Sequence, residues 1–324
     1  VMVDSSEFAL FEIHREIETQ RLGADGSPLL TAILANVLDG EVMTAIVRDH
    51  RVNVVFHAAA YKHVRMVEEN AAVGMRNNIW GTLNVAEAAT QNGVELFVLI
   101  STDKAVRPTS VMGASKRVAE MVIQSFARRR GCVTTFSIVR FGNVLGSTGS
   151  VVPLFNEQIA RGGPVKVTHP EVTRYFMLIS EAAQLVIQAS AMAEKSEVYV
   201  LDMGEPIKIL RLAKTMIELA GMTLRNADNP DGDISIEFTG LQQGEKLFEE
   251  LNIGRDILQT AHPRIMRSNE AYLTWDELGY ELGILDRELK RNGSPRGAIK
   301  KLMEIAMRDA LTVREFAGRT TADT

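Results

Sequence analysis

The strongest constraint on the fold is an alternation of short apolar runs with helical patterns over the first 146 residues. The runs that end in VVFHAAA, FVLIST and FSIVRFG have the length and the β-branched content of buried strands. Each is followed by a longer segment with helical periodicity, and Gly93 and Gly131 lie where two of these helices should end. Strands that alternate with helices indicate an α/β fold with a doubly wound parallel sheet, covered by helices on both faces.

Beyond this region the pattern loosens into loop-rich segments such as GGP, NPDGD and GLQQGEK, separated by single helices. We interpret residues 1–146 as a Rossmann-like domain and residues 147–196 and 205–315 as a smaller C-terminal substrate-binding domain. The apolar run within residues 197–204 is predicted to return to the parallel sheet, and residues 316–324 to form a tail.

Composition excludes several classes of protein. Apolar residues make up 46% of the chain and charged residues 24%, an ordinary globular balance that excludes disorder as the main state. A formal charge of −5 disfavours nucleic acid as a partner. Cys132 is the single cysteine, so the chain has no internal disulfide, and we predict no metal site. No apolar run has the roughly 18 to 20 residues that a membrane-spanning helix needs.

The first apolar run ends at Asp4, which is followed by Ser5 and Ser6. An acidic residue at this place in a dinucleotide-binding fold accepts hydrogen bonds from a ribose diol and favours NAD over NADP. The alternative is that Asp4 or Ser5 caps the next helix. A glycine-rich turn belongs roughly 20 residues before such an acid, and we expect it in a segment that precedes this sequence.

Small and polar residues also follow the later strands. Three alanines after a strand let the backbone approach a flat ligand, although tight packing between helix and sheet would explain them equally well. Asn78, on the helix that follows, is a candidate to tie neighbouring strand ends together. The candidate cofactor contacts are Asp4, Ser5, Asn36, Val37, His57, Ala58, Ala59, Ala60, Asn78, Ser101 and Lys116.

The densest group of reactive side chains follows the strand LFVLI. Ser101, Thr102, Asp103 and Lys104 occupy consecutive positions, where parallel sheets bind their ligands. Lys116 lies four residues after Met112, so both face the same side of a helix. A cation there suits the hydroxyls of a nicotinamide ribose. A plain helix cap at STDK and a solvated helix lysine are the alternatives.

These motifs resemble the extended short-chain dehydrogenases/reductases, and within them the CapD-like nucleotide-sugar 4,6-dehydratases of polysaccharide biosynthesis. In this group Thr-Asp-Lys replaces the Thr-Asp-Glu of dTDP-glucose dehydratases, and one subgroup has methionine in place of the tyrosine of Tyr-x-x-x-Lys. The matching stretches cover about residues 1–265 and include VDSSEFALFEI, NVVFHAAAYKHVRMVEEN, NNIWGTLNVAEAA, LISTDKAVRPTSVMGASKRVAE, VRFGNVLGSTGSVVPLF, GGPVKVTHPEVTRYFMLISEAAQLV, VYVLDMGEPIKI, GLQQGEKLFEEL and HPRI.

The resemblance implies a lyase that uses NAD to convert UDP-N-acetylglucosamine to its 4-keto-6-deoxy derivative. The sugar is oxidised at C4, loses water across C5 and C6, and receives the hydride back at C6. By the same resemblance Lys104 is the base at C5, Asp103 the acid at the C6 hydroxyl, and Thr102 a partner of the 4-hydroxyl. The implied catalytic residues are Thr102, Asp103, Lys104, Met112 and Lys116.

The implied substrate contacts lie on both halves of the chain: Tyr61, Lys62, His63, Asn143, Arg174, Gln242 and Glu245. Gln242 departs from the family pattern, because an arginine usually stands there and a neutral amide cannot make a charge-assisted bond to a diphosphate. Arg174 is the residue expected to bind phosphate; the alternative for it is a surface ion pair with Glu171 or Glu181.

Two other functions compete with dehydration. A UDP-sugar 4-epimerase needs the tyrosine that Met112 replaces and has no use for Lys104, whereas a catalytically silent nucleotide-binding module would tolerate both Met112 and Gln242. Full-length relatives with this methionine usually carry membrane helices before the nucleotide-binding domain. The resemblance therefore implies a protein anchored in a bacterial inner or plasma membrane, with this part on the cytoplasmic side, and a possible homodimer formed through long helices that flank the sheet.

Overall fold

A computed structural model describes residues 1–18, 30–147, 149–251, 257–270, 272–291 and 295–308. Its strands in chain order are β1 (Met2–Asp4), β2 (Ala32–Leu34), β3 (Val54–His57), β4 (Leu96–Thr102), β5 (Thr135–Phe141), β6 (Asn143–Leu145), β7 (Val165–Val167), β8 (Thr173–Arg174), β9 (Phe176–Leu178), β10 (Val198–Leu201), β11 (Ile207–Lys208), β12 (Leu224–Arg225), β13 (Ile234–Phe238), β14 (Ile257–Gln259) and β15 (Ile265–Ser268).

The helices in chain order are α1 (Glu7–Glu18), α2 (Gly40–Asp49), α3 (Val64–Glu69), α4 (Ala71–Met75), α5 (Gly81–Gln91), α6 (Val111–Ala127), α7 (Val151–Ala160), α8 (Ile179–Ala191), α9 (Ile209–Leu219), α10 (Trp275–Lys290) and α11 (Arg296–Ala306). A π-helical turn, Arg76–Trp80, joins α4 to α5, and a 3₁₀ turn, Asp103–Ala105, follows β4. None of the helices described is long and apolar enough to cross a membrane.

The largest sheet has six strands in the order β14-β15-β10-β5-β4-β3. Strands β3, β4, β5 and β10 are parallel, and β15 and β14 continue the sheet in antiparallel pairing. Strands β1 and β2 form a separate parallel pair. The alternating strands and helices of the sequence thus form the predicted α/β fold with a parallel central sheet.

Side chains alternate between two cores along the central strands, as strand geometry requires. In β4, Phe97 and Leu99 face a core formed with α5 and α6, whereas Val98 faces a core formed with α8. Because apolar residues occupy both faces, these strands appear in the sequence as continuous apolar runs. A third core lies between α7, α9 and the small sheet β12-β13-β7.

Helix α6 is enclosed by the rest of the chain. All of its residues from Val111 to Phe126 are buried, because α10 and α11 pack against it on the side away from the sheet. This helix flanks the sheet and would be a natural dimer face, but its own chain covers it. The homodimer stays a prediction.

The C-terminal elements differ from the expected division of the chain. Residues 205–315 were expected to lie in the substrate-binding part, yet β14 and β15 extend the large sheet and α10 and α11 complete its helical layer. The apolar run at residues 197–204 supplies β10, which pairs in parallel with β5. Short strands in loop-rich sequence do not reveal which sheet they join, because pairing partners are set by tertiary packing.

Candidate active site

A cavity of about 510 Å³ opens at the carboxyl ends of β3, β4 and β5, and we call it the first cavity. This is where open parallel sheets bind ligands. Of the residues singled out from the sequence, those that line it are Ala58, Ala60, Tyr61, Lys62, His63, Ser101, Thr102, Lys104, Met112, Lys116, Asn143, Arg174 and Glu245. The cavity therefore brings Ser101, Thr102 and Lys104, at the end of β4, together with residues from both halves of the chain.

Lys104 reaches into the first cavity while Asp103 stays behind it. The Lys104 side chain is 20% exposed, and its Nζ donates hydrogen bonds to Asp103 Oδ1 at 3.0 Å and Asn143 Oδ1 at 3.1 Å. Asp103 is 0% exposed and also accepts a hydrogen bond from the Thr102 hydroxyl at 2.9 Å. Asp103 thus lies one side chain away from the cavity and reaches it through Thr102 or Lys104.

A glycine sets the spacing between this strip and helix α6. A Cβ on Gly113 would lie 2.2 Å from the Lys104 carbonyl oxygen, so only glycine permits the contact. Ser110 caps the same helix by accepting a hydrogen bond from the Gly113 amide. Residue 104 is therefore held directly against the first turn of the helix that carries Met112 and Lys116.

Met112 and Lys116 both face the first cavity, as their spacing predicts. Lys116 Nζ donates a hydrogen bond to the Ile100 carbonyl oxygen at 2.7 Å. Burial lowers the pKa of Lys116 to about 8, although the nearby Glu120 carboxylate partly opposes this. A buried cation beside a cavity is suited to bind hydroxyl groups or negative charge.

Asn78 joins elements at the carboxyl end of the sheet. Its side chain accepts a hydrogen bond from the Tyr61 amide at 2.8 Å and donates to the Tyr61 carbonyl and to the Ser115 hydroxyl. Asn78 lies in the π-helical turn, and such turns occur frequently at functional sites. It supports the cavity wall from behind, because its side chain is fully buried.

Several residues assigned to the cofactor site do not line the first cavity. The His57 ring is buried against Thr82 at 3.0 Å, and burial, with Lys116 nearby, lowers its pKa to about 3. A neutral, enclosed imidazole offers no side-chain contact to a ligand there. Asp4 is exposed at the end of β1, where its carboxylate accepts a hydrogen bond from the Ser6 amide, while the Ser6 hydroxyl accepts one from the Ala9 amide in the first turn of α1.

Other predicted cofactor contacts also lie outside the first cavity. Ser5 is exposed, Asn36 accepts a hydrogen bond from the Leu38 amide, and the Val37 carbonyl accepts one from Asn84. The side chain of Val37 packs against Gly81, and Ala59 is absent from the cavity lining. Their cofactor contacts therefore stay predictions.

Arg174 forms an ion pair with neither of the two expected partners, Glu171 and Glu181. Its guanidinium donates to Glu245 Oε1 at 3.0 Å, while Glu171 pairs with Lys208 and Glu181 with Arg264. A second cavity of about 290 Å³ adjoins the first and contains Gln242, which is exposed. The predicted phosphate contact Arg174 is thus paired with another predicted substrate contact, Glu245, and Gln242 lines the adjoining cavity.

Two features of the site lie outside the sequence-based assignment. Glu249 lies 3.8 Å from Lys104 Nζ, with its side chain 3% exposed. A buried ion network joins Glu120 and Arg117 of α6 to Arg140 of β5 and to Glu270, and Ser101 donates to Glu120 at 2.6 Å. The charge in the middle of the apolar strand FSIVRF was a usable signal, since a buried arginine requires carboxylate partners.

Replacing Lys116 by methionine is expected to stabilise the fold at pH 7. The pKa falls from 10.5 to about 8 on folding, so the charged form opposes folding below pH 8, and this opposition fades as pH rises toward 10.5. The gain should be about 2 kcal/mol after subtracting the lost hydrogen bond to Ile100, and it should disappear near pH 10.

Thermal unfolding at several pH values measures this difference. Lys214→Met, on the exposed side of α9, is the matched control and should show no such pH dependence. A Lys116→Met variant that is less stable than the parent at both pH 7 and pH 10 would contradict the effect of burial on this lysine.

Comparison with known proteins places the chain in a family. The polysaccharide biosynthesis protein family matches residues 1–270. The capsular polysaccharide biosynthesis protein CapD of Staphylococcus aureus is 44% identical over 310 residues, which are 95% of this chain and 48% of CapD. The chain therefore spans about half the length of this curated relative.

Two solved structures show the same fold. Pen from Bacillus thuringiensis is 31% identical with a TM-score of 0.71, over 82% of this chain and 78% of Pen. DesIV from Streptomyces venezuelae, a dTDP-glucose 4,6-dehydratase solved with NAD and TYD bound, is 19% identical with a TM-score of 0.60, over 72% of this chain and 74% of DesIV. From the family match and these likenesses, the chain belongs to the polysaccharide biosynthesis protein family, in its CapD-like branch of the extended short-chain dehydrogenases/reductases.

Proposed function

We propose that the first cavity catalyses the NAD-dependent 4,6-dehydration of a UDP-N-acetylhexosamine, namely UDP-N-acetylglucosamine. The product would be a 4-keto-6-deoxy sugar nucleotide for a surface polysaccharide such as capsule or O-antigen. The observation that carries the proposal is the Lys104 side chain, which lines the cavity between the carboxylate of Asp103 and the amide of Asn143. A lysine placed in this way fits proton abstraction next to a carbonyl group.

The residues at the sheet end of the cavity fit a dinucleotide. Ala58 and Ala60 present little side-chain bulk, and Lys116 supplies a cation on the same wall. The exposed carboxylate of Asp4 ends β1, where a ribose diol would need an acceptor. When bound, NAD would accept a hydride from C4 of the sugar and later supply it to C6.

Lys104 is proposed as the base that removes the proton from C5 once C4 is a ketone. Its Nζ faces the cavity, while two of its hydrogen bonds fix its direction. Asp103 is proposed to supply the proton for the departing C6 hydroxyl. Because Asp103 is enclosed, that proton must pass through the Thr102 hydroxyl, which donates to Asp103 Oδ1 and itself lines the cavity.

Met112 favours dehydration over 4-epimerisation. An epimerase exchanges a proton with the 4-hydroxyl in both directions, which requires an ionisable group at the place of Met112. A thioether cannot take or give a proton. In dehydration the proton of the 4-hydroxyl would pass through the Thr102 hydroxyl to Asp103, and Lys104 would be superfluous in an epimerase.

Polar residues of the first cavity are also proposed to hold the UDP portion of the substrate. Lys62 and His63 line one side and Arg174 the other. Arg174 would share its guanidinium between Glu245 and a phosphate, so its contribution to substrate binding should be smaller than that of an unpaired arginine.

The proposal is tested by incubating the full-length natural protein with UDP-N-acetylglucosamine and NAD. A 4-keto-6-deoxy product, detected by its absorbance in alkali, is the expected result. Formation of only the C4 isomer would identify an epimerase, and recovery of unchanged sugar alongside measurable binding would identify a silent binding module. Either outcome would contradict the proposal.

A further inference from the structure

The second cavity adjoins the first, and Lys104 lines both of them. It shares Lys104, Asn143 and Arg174 with the first cavity and adds Glu249 and Lys246. Glu249 belongs to a loop that crosses the site, anchored on one side where the Thr173 amide donates to the Leu247 carbonyl. Lys104 is therefore one of the residues that form the boundary between the two cavities.

The hydrogen bonds of Lys104 limit where its protons can go. One N–H points to Asp103 Oδ1 and one to Asn143 Oδ1. The proposed function already uses Asp103 to protonate the C6 hydroxyl, and a neutral amide oxygen does not accept a proton near neutral pH. A nucleotide sugar in the first cavity would cover Lys104 on that side. Among the described residues, Glu249 is the remaining ionisable acceptor near its Nζ, with Oε1 at 3.8 Å.

The surroundings of Glu249 suit a carboxyl group that holds a proton briefly. Its side chain is 3% exposed, and Oε2 has no hydrogen-bond partner within the described part of the chain. Burial raises the pKa of Glu249, and the Asp103 carboxylate raises it further, while Lys104, Arg174 and Lys246 oppose the change. A carboxyl group whose pKa is moved toward neutrality exchanges protons with an amine more readily than an exposed one.

We infer that Glu249 relays protons between Lys104 and the second cavity, and is thus a positioning residue for the proposed base. The inference rests on the proposed function, because it takes Lys104 as the group that receives the C5 proton. Glu249 does not contact the sugar in this scheme.

The proton that the 4-hydroxyl loses when C4 is oxidised passes through the Thr102 hydroxyl to ionised Asp103, which gives it to the departing C6 hydroxyl to form water. Neutral Lys104 takes the C5 proton, with the electron pair of the C5–H bond forming the C5–C6 double bond as the C6–O bond breaks. The resulting ammonium passes one proton to ionised Glu249, which exchanges it with solvent in the second cavity and returns a solvent proton to Lys104. Once the hydride is on C6, Lys104 protonates C5 and is neutral again. No electrons move between protein side chains.

The test is the origin of the hydrogen at C5 when the full-length protein turns over UDP-N-acetylglucosamine in D₂O. The parent protein should place deuterium at C5 in nearly every product molecule. Glu249→Gln should still form product but lower the ratio of deuterium incorporation to turnover from nearly one toward about two thirds, because the Lys104 ammonium carries two solvent deuterons beside the one proton taken from C5. A purely structural role for Glu249 would reduce turnover without changing this ratio.

Two further variants complete the test. Glu250→Gln removes the neighbouring exposed carboxylate, which pairs with Arg107, and should label like the parent. Glu249→Asp retains a carboxyl group on a shorter side chain, and its ratio of deuterium incorporation to turnover should lie between those of the parent and Glu249→Gln. If Glu249→Gln does not fold, a reduced ratio in Glu249→Asp is the result that supports the inference. Complete labelling in the Glu249 variants would overturn the inference and leave the proposed function intact. Absence of product from the parent would overturn the proposed function instead.

Discussion

Replacing Lys104 by methionine is expected to lower the formation of 4-keto-6-deoxy product by about 10²–10⁴-fold, the usual contribution of a positioned acid or base. Methionine retains the length of the side chain but cannot accept the C5 proton. Oxidation at C4 does not require Lys104, so absorbance of reduced nicotinamide should accumulate in the variant while the product does not. Stopped-flow absorbance and product analysis on the same samples measure both steps.

The control for this substitution is Lys214→Met, which removes an exposed lysine from α9 and should leave the rate within about twofold, as surface changes away from a site usually do. A Lys104→Met variant that turns over at the parent rate would remove Lys104 as the base. A variant that loses C4 oxidation as well would indicate a disturbed cavity and not a missing base, since Lys104 is packed against Gly113.

Replacing Arg140 by methionine is expected to cost about 3–5 kcal/mol of unfolding free energy, the range found when one partner of a buried ion pair is removed. Arg140 donates to Glu120 through Nε at 2.7 Å and to Glu270 through Nη2 at 2.8 Å, and all three side chains are enclosed. Without Arg140, two buried carboxylates share the guanidinium of Arg117 alone. The melting temperature should fall by roughly 5 °C or more.

Arg161→Met is the matched control, because Arg161 pairs with Glu157 on the exposed surface of α7 and such pairs contribute about 0–1 kcal/mol. Differential scanning calorimetry of both variants compares the buried and the exposed pair. Equal melting temperatures for the two would contradict the assigned role of the network. The loss should also reduce activity, since Ser101 donates to Glu120 immediately before the Thr102-Asp103-Lys104 strip.

The parts of the fold that depend on local sequence patterns could be predicted from the sequence. Strands β4 and β5 are largely apolar because both of their faces are buried, and a nearly continuous apolar run is the signature of that environment, whereas the edge strand β3 leaves Val54 and Phe56 exposed. The C-terminal strands β14 and β15 were not recognised as sheet members, because they are short and antiparallel and join the sheet only through contact with β10. The burial of α6 under α10 and α11 likewise depends on packing between distant segments.

The candidate site was likewise predictable where it depends on local sequence patterns, and was not where it depends on tertiary packing. Met112 and Lys116 were placed together by helical spacing, and the position of Lys104 followed from the end of a parallel strand. The enclosure of Asp103 was not foreseeable, because it depends on Thr102, Lys104 and the bare backbone of Gly142 closing around it. Glu249 follows Lys104 by 145 positions in a loop without periodicity, so only the folded structure brings the two together.

In the proposed reaction Lys104 removes the C5 proton of a nucleotide sugar and the C4 hydride moves to C6. The most direct measurement uses UDP-N-acetylglucosamine carrying deuterium at C4, turned over in ordinary water and, separately, unlabelled sugar turned over in D₂O. We expect a 6-deoxy product with the C4 label at C6 in the first experiment and solvent deuterium at C5 in the second. A product that keeps its label at C4, or that gains no solvent deuterium at C5, would contradict the proposed reaction.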